Sequence, residues 1–518
     1  MSGRDTYYVT TPIYYVNDVP HIGHAYTTLA CDVLARFKRL DDYDVHFLTG
    51  TDEHGQKVEK AAAAAGLEPR AFTDKVSQSF RDLVKTMNYS PDNFIRTTEP
   101  RHHAASQALW EKLVASGDIY LGKYAGWYSV RDEAYFVEGE TEVGADGKRR
   151  AVASGAEVEW VEEPSYFFKL SAWTDRLLDF YDKNPRFIAP DSRRNEVVSF
   201  VRGGLQDLSV SRTSFSWGVP VPGDSKHIMY VWLDALTNYI TECGYPDTND
   251  PLWKFWPADL HMVGKDIIRF HCVFWPAFLM SAGVAPPKRV FAHGWWTNEG
   301  QKISKSLGNV IDPVELVATY GLDPVRYFLL RQVPFGNDGD LQRRALIGRL
   351  NGDLANAYGN LCQRVLSIVA KSGGGKVPAK GTIVEADTAL LDRAKALLAT
   401  VRAEIDEQAF HRALTTIWEA IADANRYVDA QAPWALAKTD PARRDTVLWV
   451  LAETIRRVTL LVQPFMPDSA GKILDQLAVA TSDRTFDSFD KELLSGTALP
   501  APQGVFPRFV EPAQGAAS

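Results

Sequence analysis

The sequence predicts an α/β chain: a parallel sheet with crossover helices, an insertion within it, and an all-α region after it. Three observations predict this. About 45 residues near the N-terminus read strand, helix, strand; the texture changes to short β-like runs near Tyr120; and helical periodicity takes over after Asp340. A chain of 518 residues is too long for one core and predicts about three domains.

The elements follow in order. "TYYVTT" is rich in β-branched and aromatic residues and reads as a strand. Leu29, Val33, Phe37 and Leu40 then recur at helical spacing, with Ala30 and Leu34 beside them. "DVHFLTGTDEHG" reads as a second strand ending in a polar loop, which completes a βαβ unit and implies a parallel sheet. Ligands of such sheets sit at the carboxyl ends of the strands, and His21, His24 and Asp52 all fall at such ends. From Tyr120, "YAGWYSVRDEAYFVEGETEVGADGKRRAVASGAEVEWVEEPSYFFKL" holds short β-like runs, turns and glycine, and reads as an insertion between two halves of the α/β domain. Strand and helix alternation resumes at "HIMYVWLDALTNYI" and runs through "DLHMVGKDIIRFHCVFW". After Asp340 come long amphipathic stretches such as "AFHRALTTIWEAIADANRYV", interrupted by the loop "KSGGGKVPAKG" and ending in a frayed "PAQGAAS". No repeat of twenty to fifty residues is present.

Composition excludes several classes. Cys31, Cys243, Cys272 and Cys362 lie far apart with no C-x-x-C, which argues against a disulfide framework and a four-cysteine zinc site and suits a reducing compartment. "MSGRDTYYVTTP" has no apolar core of a secretory signal. "IIRFHCVFWPAFLMSAGVA" is long enough to span a bilayer, but Arg269, His271 and Pro276 make it a buried element beside a polar site. A net charge of −8 gives no support to sequence-independent nucleic-acid binding over the whole surface.

Two motifs carry chemistry. "HIGH" places His21 and His24 around Gly23 where a strand becomes a helix; alone, it reads as ordinary surface or core histidines. In "NEGQKISKSLGN", Lys302 and Lys305 alternate with Ser304 and Ser306 between Gly300 and Gly308. Alone this is a solvated basic turn, yet two ammonium groups and two hydroxyls on a glycine-flanked loop suit closure over a polyphosphate.

Together, "HIGH" and "KISKS" resemble the paired signatures of class I aminoacyl-tRNA synthetases in order, separation and context. "PIYYVNDVPHIGHAYTTLACDVLARF", "FLTGTDEHG", "YVWLDAL", "GKDIIRFHCVFWPA" and "ANRYVDAQAPWALAK" narrow the resemblance to the methionyl-tRNA synthetase family, over nearly the whole chain and least in the insertion. The resemblance implies a Rossmann-like catalytic domain in two halves, 1–117 and 226–345, the second with the KISKS loop. It also implies an inserted, zinc-less α+β connective domain at 118–225, and an all-α anticodon-binding domain with a tail at 346–518.

The implied activity has two steps. L-methionine attacks the α-phosphate of ATP, giving methionyl-adenylate and pyrophosphate, and the methionyl group then passes to tRNA(Met). Catalysis is alignment plus stabilisation of charge on phosphate oxygens. The resemblance assigns His21, His24, Lys302, Ser304 and Lys305 to the phosphates, with Gly23 leaving room for the nucleotide and Gly264 and Asp266 on the ribose. Mg²⁺ accompanies ATP and needs no protein cage. For methionine it implies Ile13, Tyr15, Trp232, Ala235, Leu236, Tyr239, Ile267, Phe270 and His271, with Asp52 on the ammonium and Arg212 near the adenylate. By periodicity alone Trp232, Ala235, Leu236 and Tyr239 read as core; an aromatic slot suits a polarisable thioether. For the anticodon it implies Asn360, Arg364, Asn425, Asp429 and Trp434, the tryptophan stacking on a base; without the resemblance, Trp434 after Pro433 reads as a helix-end core anchor.

The insertion departs from the family pattern. Ser129 and Asp132 stand where a first C-x-x-C pair would, and no cysteine follows there, so no structural zinc is expected; Trp127, Arg131 and Glu133 are candidates to hold the loop. With no room for an appended dimerising module, a cytoplasmic monomer is expected. Leucine, isoleucine and valine enzymes need a longer insertion, and the cysteine enzyme needs a cysteine-ligated zinc. Small nucleotidyltransferases lack "KISKS", and a non-catalytic tRNA-binding paralogue predicts damaged phosphate contacts.

Overall fold

The computed structural model describes residues 4–16, 19–304 and 307–511. The chain falls into two compact units, one made of Thr6–Pro20 and Val45–His293, the other mainly of His21–Asp44 and the chain from Gly294 on.

The first unit is built on a seven-stranded sheet. Leu260–Gly264 runs parallel to both Thr6–Thr10 and Val290–His293, and Asp44–Asp52 runs parallel to both Tyr14–Tyr15 and Asn93–Arg96. Parallel strands must be joined by long crossovers, which cover the sheet faces and make the strands apolar throughout. "VHFLTG" shows this, with Phe47 and Leu48 fully buried. The helix Val231–Thr241 is buried on nearly every face and sits over the same core as Trp275, Phe278 and Leu279.

The insertion is more regular than its sequence suggests. Ile119–Ser129 and Glu159–Phe168 form one long antiparallel ladder, flanked by Ala134–Phe136 and Leu208–Ser209. The long apolar run is helical without a break from Lys265 to Ser281, but not uniformly α. It opens with a 3₁₀ turn at Lys265–Ile267, widens to a π-turn at Phe270–Phe274 and continues as the α-helix Trp275–Ser281. Pro276, which has no N–H to donate, follows directly on the π-turn. No helix among the described residues is long and apolar enough to cross a membrane.

The second unit carries the histidine helix, Ile22–Leu40, in which Leu29, Val33 and Phe37 are fully buried as their spacing predicts. Its Asp32 is fully buried and accepts from Arg326 Nη2 at 2.7 Å, while the same guanidinium donates to the carbonyls of Phe465 and Pro464. Lys38 and Asp41 pair with Asp406 and Arg402 of the helix Glu385–Asp406. Long helices at Phe410–Gln431 and Pro441–Val462 complete the α-helical region, as expected from their periodicity. All four cysteines are buried and unbridged.

Candidate active site

In the first unit, the side chains that the resemblance assigns to methionine gather on the main core and define the candidate recess. Leu236 and Tyr239 are buried members of that core, and Ala235 is buried beside them. Ile13, Tyr15, Trp232, Ile267 and Phe270 pack against it only partly buried, on its accessible side. Trp232 and Phe270 stack with centroids 3.7 Å apart at 6°. The helix positions that periodicity assigns to core thus divide, with Trp232 at the opening and the other three inside.

The floor is polar but uncharged. His271 Nδ1 lies 3.0 Å from the Ile267 carbonyl, which can only accept, so the ring proton is on Nδ1. Nε2 is then an acceptor, and the Tyr239 hydroxyl donates to it at 2.8 Å. Burial pushes His271 down to about 4, so the ring is neutral at physiological pH. The Tyr239 ring stacks on His261 at 4.0 Å, and Trp275 Nε1 donates to His261.

Asp52 ends its strand opposite Tyr15 in register, 5% exposed, with Oδ1 lacking a hydrogen-bond partner among the described residues. Burial, with Asp234 and Glu133 adding, holds its carboxyl well above the ordinary range. Asp234 itself is different. Its two oxygens lie 2.6 Å from His54 Nδ1 and His102 Nε2. Burial opposes its charge, but His54 and His102 outweigh that and hold it well below the usual range. This pairing fastens the Trp232 helix to the segment that follows Asp52. Asp234, His54 and His102 were not among the sequence-derived site residues, although one aspartate inside the apolar "YVWLDAL" was a visible signal.

Arg212 is buried in a cage of Tyr135, Tyr230 and Tyr128, at 4.5, 4.7 and 5.5 Å from their centroids, and donates to Ser209 and Ser211. Gly264 ends its strand just before Asp266; a Cβ on Gly264 would meet Asp266 Oδ1 at 2.5 Å.

In the insertion, Asp132 is bound by its neighbours. Its backbone N–H donates to Ser129 Oγ at 3.1 Å, its carboxylate takes the Ser154 hydroxyl, and Arg131 reaches the Ser154 carbonyl. Trp127 Nε1 donates to Glu138. Oxygen donors already engaged in this knot do not fit a thiolate zinc site, and no group of metal-ligating side chains is found among the described residues.

In the second unit, His21 caps its helix. The Gly23 N–H donates to His21 Nδ1 at 3.1 Å, and the His21 N–H donates to His24 Nδ1 at 3.1 Å. Both Nδ1 atoms are therefore acceptors, which puts the ring protons on Nε2 and makes each a donor there. The ring centroids are 3.9 Å apart. Burial, with His21 adding, keeps His24 well below the ordinary histidine range. A Cβ on Gly23 would come 2.9 Å from the His21 ring, so the space glycine leaves is taken by histidine itself.

Lys302 lies on a hairpin of Trp296–Asn298 with Gln301–Lys302, turned by Glu299 and Gly300 at φ 49 and 78, the pair of positive angles a type I′ turn requires. Asn309 staples the loop: its Oδ1 accepts from the Ser304 N–H at 2.8 Å and its Nδ2 donates to the Lys302 carbonyl at 3.1 Å. Trp296 packs edge-on against Tyr26, and the Ile22 N–H donates to the Ile311 carbonyl, so the loop is tied at both ends to the histidine helix. Lys305 lies outside the described residues.

Further along, Arg364 pairs with Asp429 at 2.9 Å and lies over the Trp434 ring at 5.7 Å. Trp434 is 49% exposed, which rules out the core-anchor reading. Asn425 donates to the Ala357 and Ile421 carbonyls, and Asn360 is exposed one turn before Arg364.

The family described as tRNA synthetases class I (M) matches residues 7–366, and the anticodon binding domain of methionyl tRNA ligase matches 377–515. The chain belongs to the class I tRNA synthetases, in their methionine (M) family. It is 60% identical to the methionine–tRNA ligase of Brucella suis over 98% of this chain and 99% of that one. It is 57% identical to that of Mycobacterium tuberculosis H37Rv, over 98% of each. A structure of the M. tuberculosis methionyl-tRNA synthetase in complex with methionyl-adenylate superimposes with a TM-score of 0.96 over 97% of this chain and all of that one.

Proposed function

We propose that this chain is a methionine–tRNA ligase, forming methionyl-adenylate from L-methionine and ATP and passing the methionyl group to tRNA(Met). The observation that carries this reading is the candidate recess: an aromatic edge, a histidine kept neutral by burial and held by Tyr239, and a buried carboxyl group, Asp52, with an unpartnered oxygen among the described residues. A thioether side chain with an α-ammonium matches both parts.

Each residue has a role. Ile13, Tyr15, Trp232, Ala235, Leu236, Tyr239, Ile267, Phe270 and His271 take the side chain; Asp52 takes the ammonium; Arg212 stands near the adenylate. Gly264 and Asp266 serve the ribose. His21 and His24 offer Nε2–H donors at a helix N-terminus, which itself favours anions, and Lys302, Ser304 and Lys305 hold the departing phosphates. Mg²⁺ travels with the ATP phosphates. No covalent enzyme intermediate is needed, so rate comes from alignment and from donors at oxygens that gain charge. Asn360, Arg364, Asn425, Asp429 and Trp434 read the anticodon, the exposed Trp434 ring stacking a base. The four-part division at 117/118, 225/226 and 345/346, a monomer and a cytoplasmic location complete the reading.

The test is charging of unfractionated tRNA with each of the twenty amino acids by the purified chain. Incorporation of methionine alone, into tRNA(Met) alone, supports the reading; charging with another amino acid, or none, overturns it.

A further inference from the structure

We propose that Glu133, carried by the inserted hairpin, is the positioning residue that fixes Tyr15 in the methionine recess. The proposal rests on the methionine-site reading above.

Glu133 closes the turn between Ile119–Ser129 and Ala134–Phe136. Its φ of 49 is in the left-handed region, which disfavours a residue with a side chain. The side chain is 6% exposed, one oxygen takes the Tyr15 hydroxyl, and the other, Oε1, has no hydrogen-bond partner among the described residues. A turn in an inserted hairpin needs neither a strained glutamate nor a buried carboxylate. Features that cost stability and persist mark places where the surrounding structure holds a conformation for use.

The rest of the Tyr15 environment fits a clamp. The Lys57 ammonium lies 5.1 Å from the ring centroid. Gly55, at φ 106, passes beneath the pair; a Cβ there would come 2.7 Å from the Tyr15 hydroxyl and 2.9 Å from Glu133 Oε1. The hydroxyl also lies 3.1 Å from the His54 carbonyl. A phenol has one proton to give, and the carboxylate is the stronger acceptor, so Glu133 decides where the ring points. Burial lifts Glu133 to about 6, with Tyr15, Lys57 and Arg212 opposing, which leaves it ionised at neutral pH. Without it the hydroxyl falls back on the His54 carbonyl or water, and the ring, one wall of the recess, is no longer set. The insertion would thereby complete the amino-acid site from outside the sheet.

The experiment is methionine-dependent pyrophosphate exchange by the full chain, with methionine and ATP varied in turn. Variants are Glu133→Ala, Glu133→Gln, Tyr15→Phe and the Tyr15→Phe/Glu133→Ala double, each with its melting curve. Expected are methionine KM values about tenfold higher in both Glu133→Ala and Tyr15→Phe, unchanged ATP KM, and a double variant no worse than either single. Glu133→Gln, which keeps an acceptor, should recover most of the wild-type KM. Additive effects in the double, or a methionine KM within about twofold of wild type in Glu133→Ala, overturn the proposal and leave the methionine site standing. Wild type without methionine-dependent exchange overturns the site reading itself. If Glu133→Ala does not fold, Tyr15→Phe decides, and an unchanged methionine KM there refutes the clamp.

Discussion

Trp296 meets the Tyr26 ring edge-on, their centroids 5.4 Å apart and their planes at 90°. The first is on the hairpin that leads to Lys302, the second on the helix capped by His21, so one aromatic contact spaces the two elements proposed to hold phosphate. Edge-to-face pairs have a preferred geometry that a branched aliphatic cannot reproduce. Trp296→Leu should therefore raise the KM for ATP about tenfold and lower stability by about 2 kcal/mol, leaving the KM for methionine unchanged. Exchange kinetics with each substrate varied, plus denaturant melts, check this. An equal rise for both substrates would contradict it.

Tyr239→Phe removes the donor that faces His271. Nε2 is then a buried acceptor without its partner, at a cost of about 1–3 kcal/mol in stability. The floor of the recess also loses its fixed geometry, so the methionine KM should rise while the ATP KM holds. Unfolding free energy and exchange kinetics measure the two effects separately.

Glu133 gives a signed pH effect. A carboxyl that titrates at 4.5 when exposed and at about 6 in the fold binds its proton more tightly in the native state. Native stability from this group therefore falls as pH rises from 4.5 to about 6 and stays at the lower level above. The interval corresponds to about 2 kcal/mol. Glu133→Gln cannot titrate, so the difference in unfolding free energy should swing toward the variant by about that amount between pH 4.5 and 7. A pH-independent difference would refute it.

Trp434→Ala should separate the two steps. The ring is half exposed and packs little, so melting should barely move. Loss of one stacked base should lower kcat/KM for tRNA charging about 10- to 100-fold. Exchange without tRNA should be unaffected.

Arg326→Ala takes one of two guanidinium partners from a buried carboxylate. Asp32 would keep the Arg36 Nε contact at 2.8 Å, while the Phe465 and Pro464 carbonyls would lose their donor. A loss of about 3 kcal/mol is expected, read in a denaturant melt.

Much of the fold was legible because hydrophobic period reports burial directly. Leu29, Val33 and Phe37 lie inside at helical spacing, and "VHFLTG" reads as a strand buried on both faces. The π-turn at Phe270–Phe274 was not legible, since the same apolar run satisfies one long helix equally well. The site divided in the same way. His21, His24 and Lys302 announce themselves through residue type and spacing. Asp234 clasped by His54 and His102, and Glu133 against Tyr15, join side chains far apart in the chain, and no local pattern encodes such meetings. The Trp434 reading turned on exposure, which sequence alone does not supply.

The most direct test of the central claim is exchange of labelled pyrophosphate into ATP, run without tRNA and with each amino acid in turn, for wild type and His24→Ala. The account predicts exchange with methionine alone and its loss in the variant, which removes an Nε2–H donor from the first turn of the histidine helix. Methionine-dependent exchange that survives in His24→Ala, or exchange driven by a different amino acid, would contradict it.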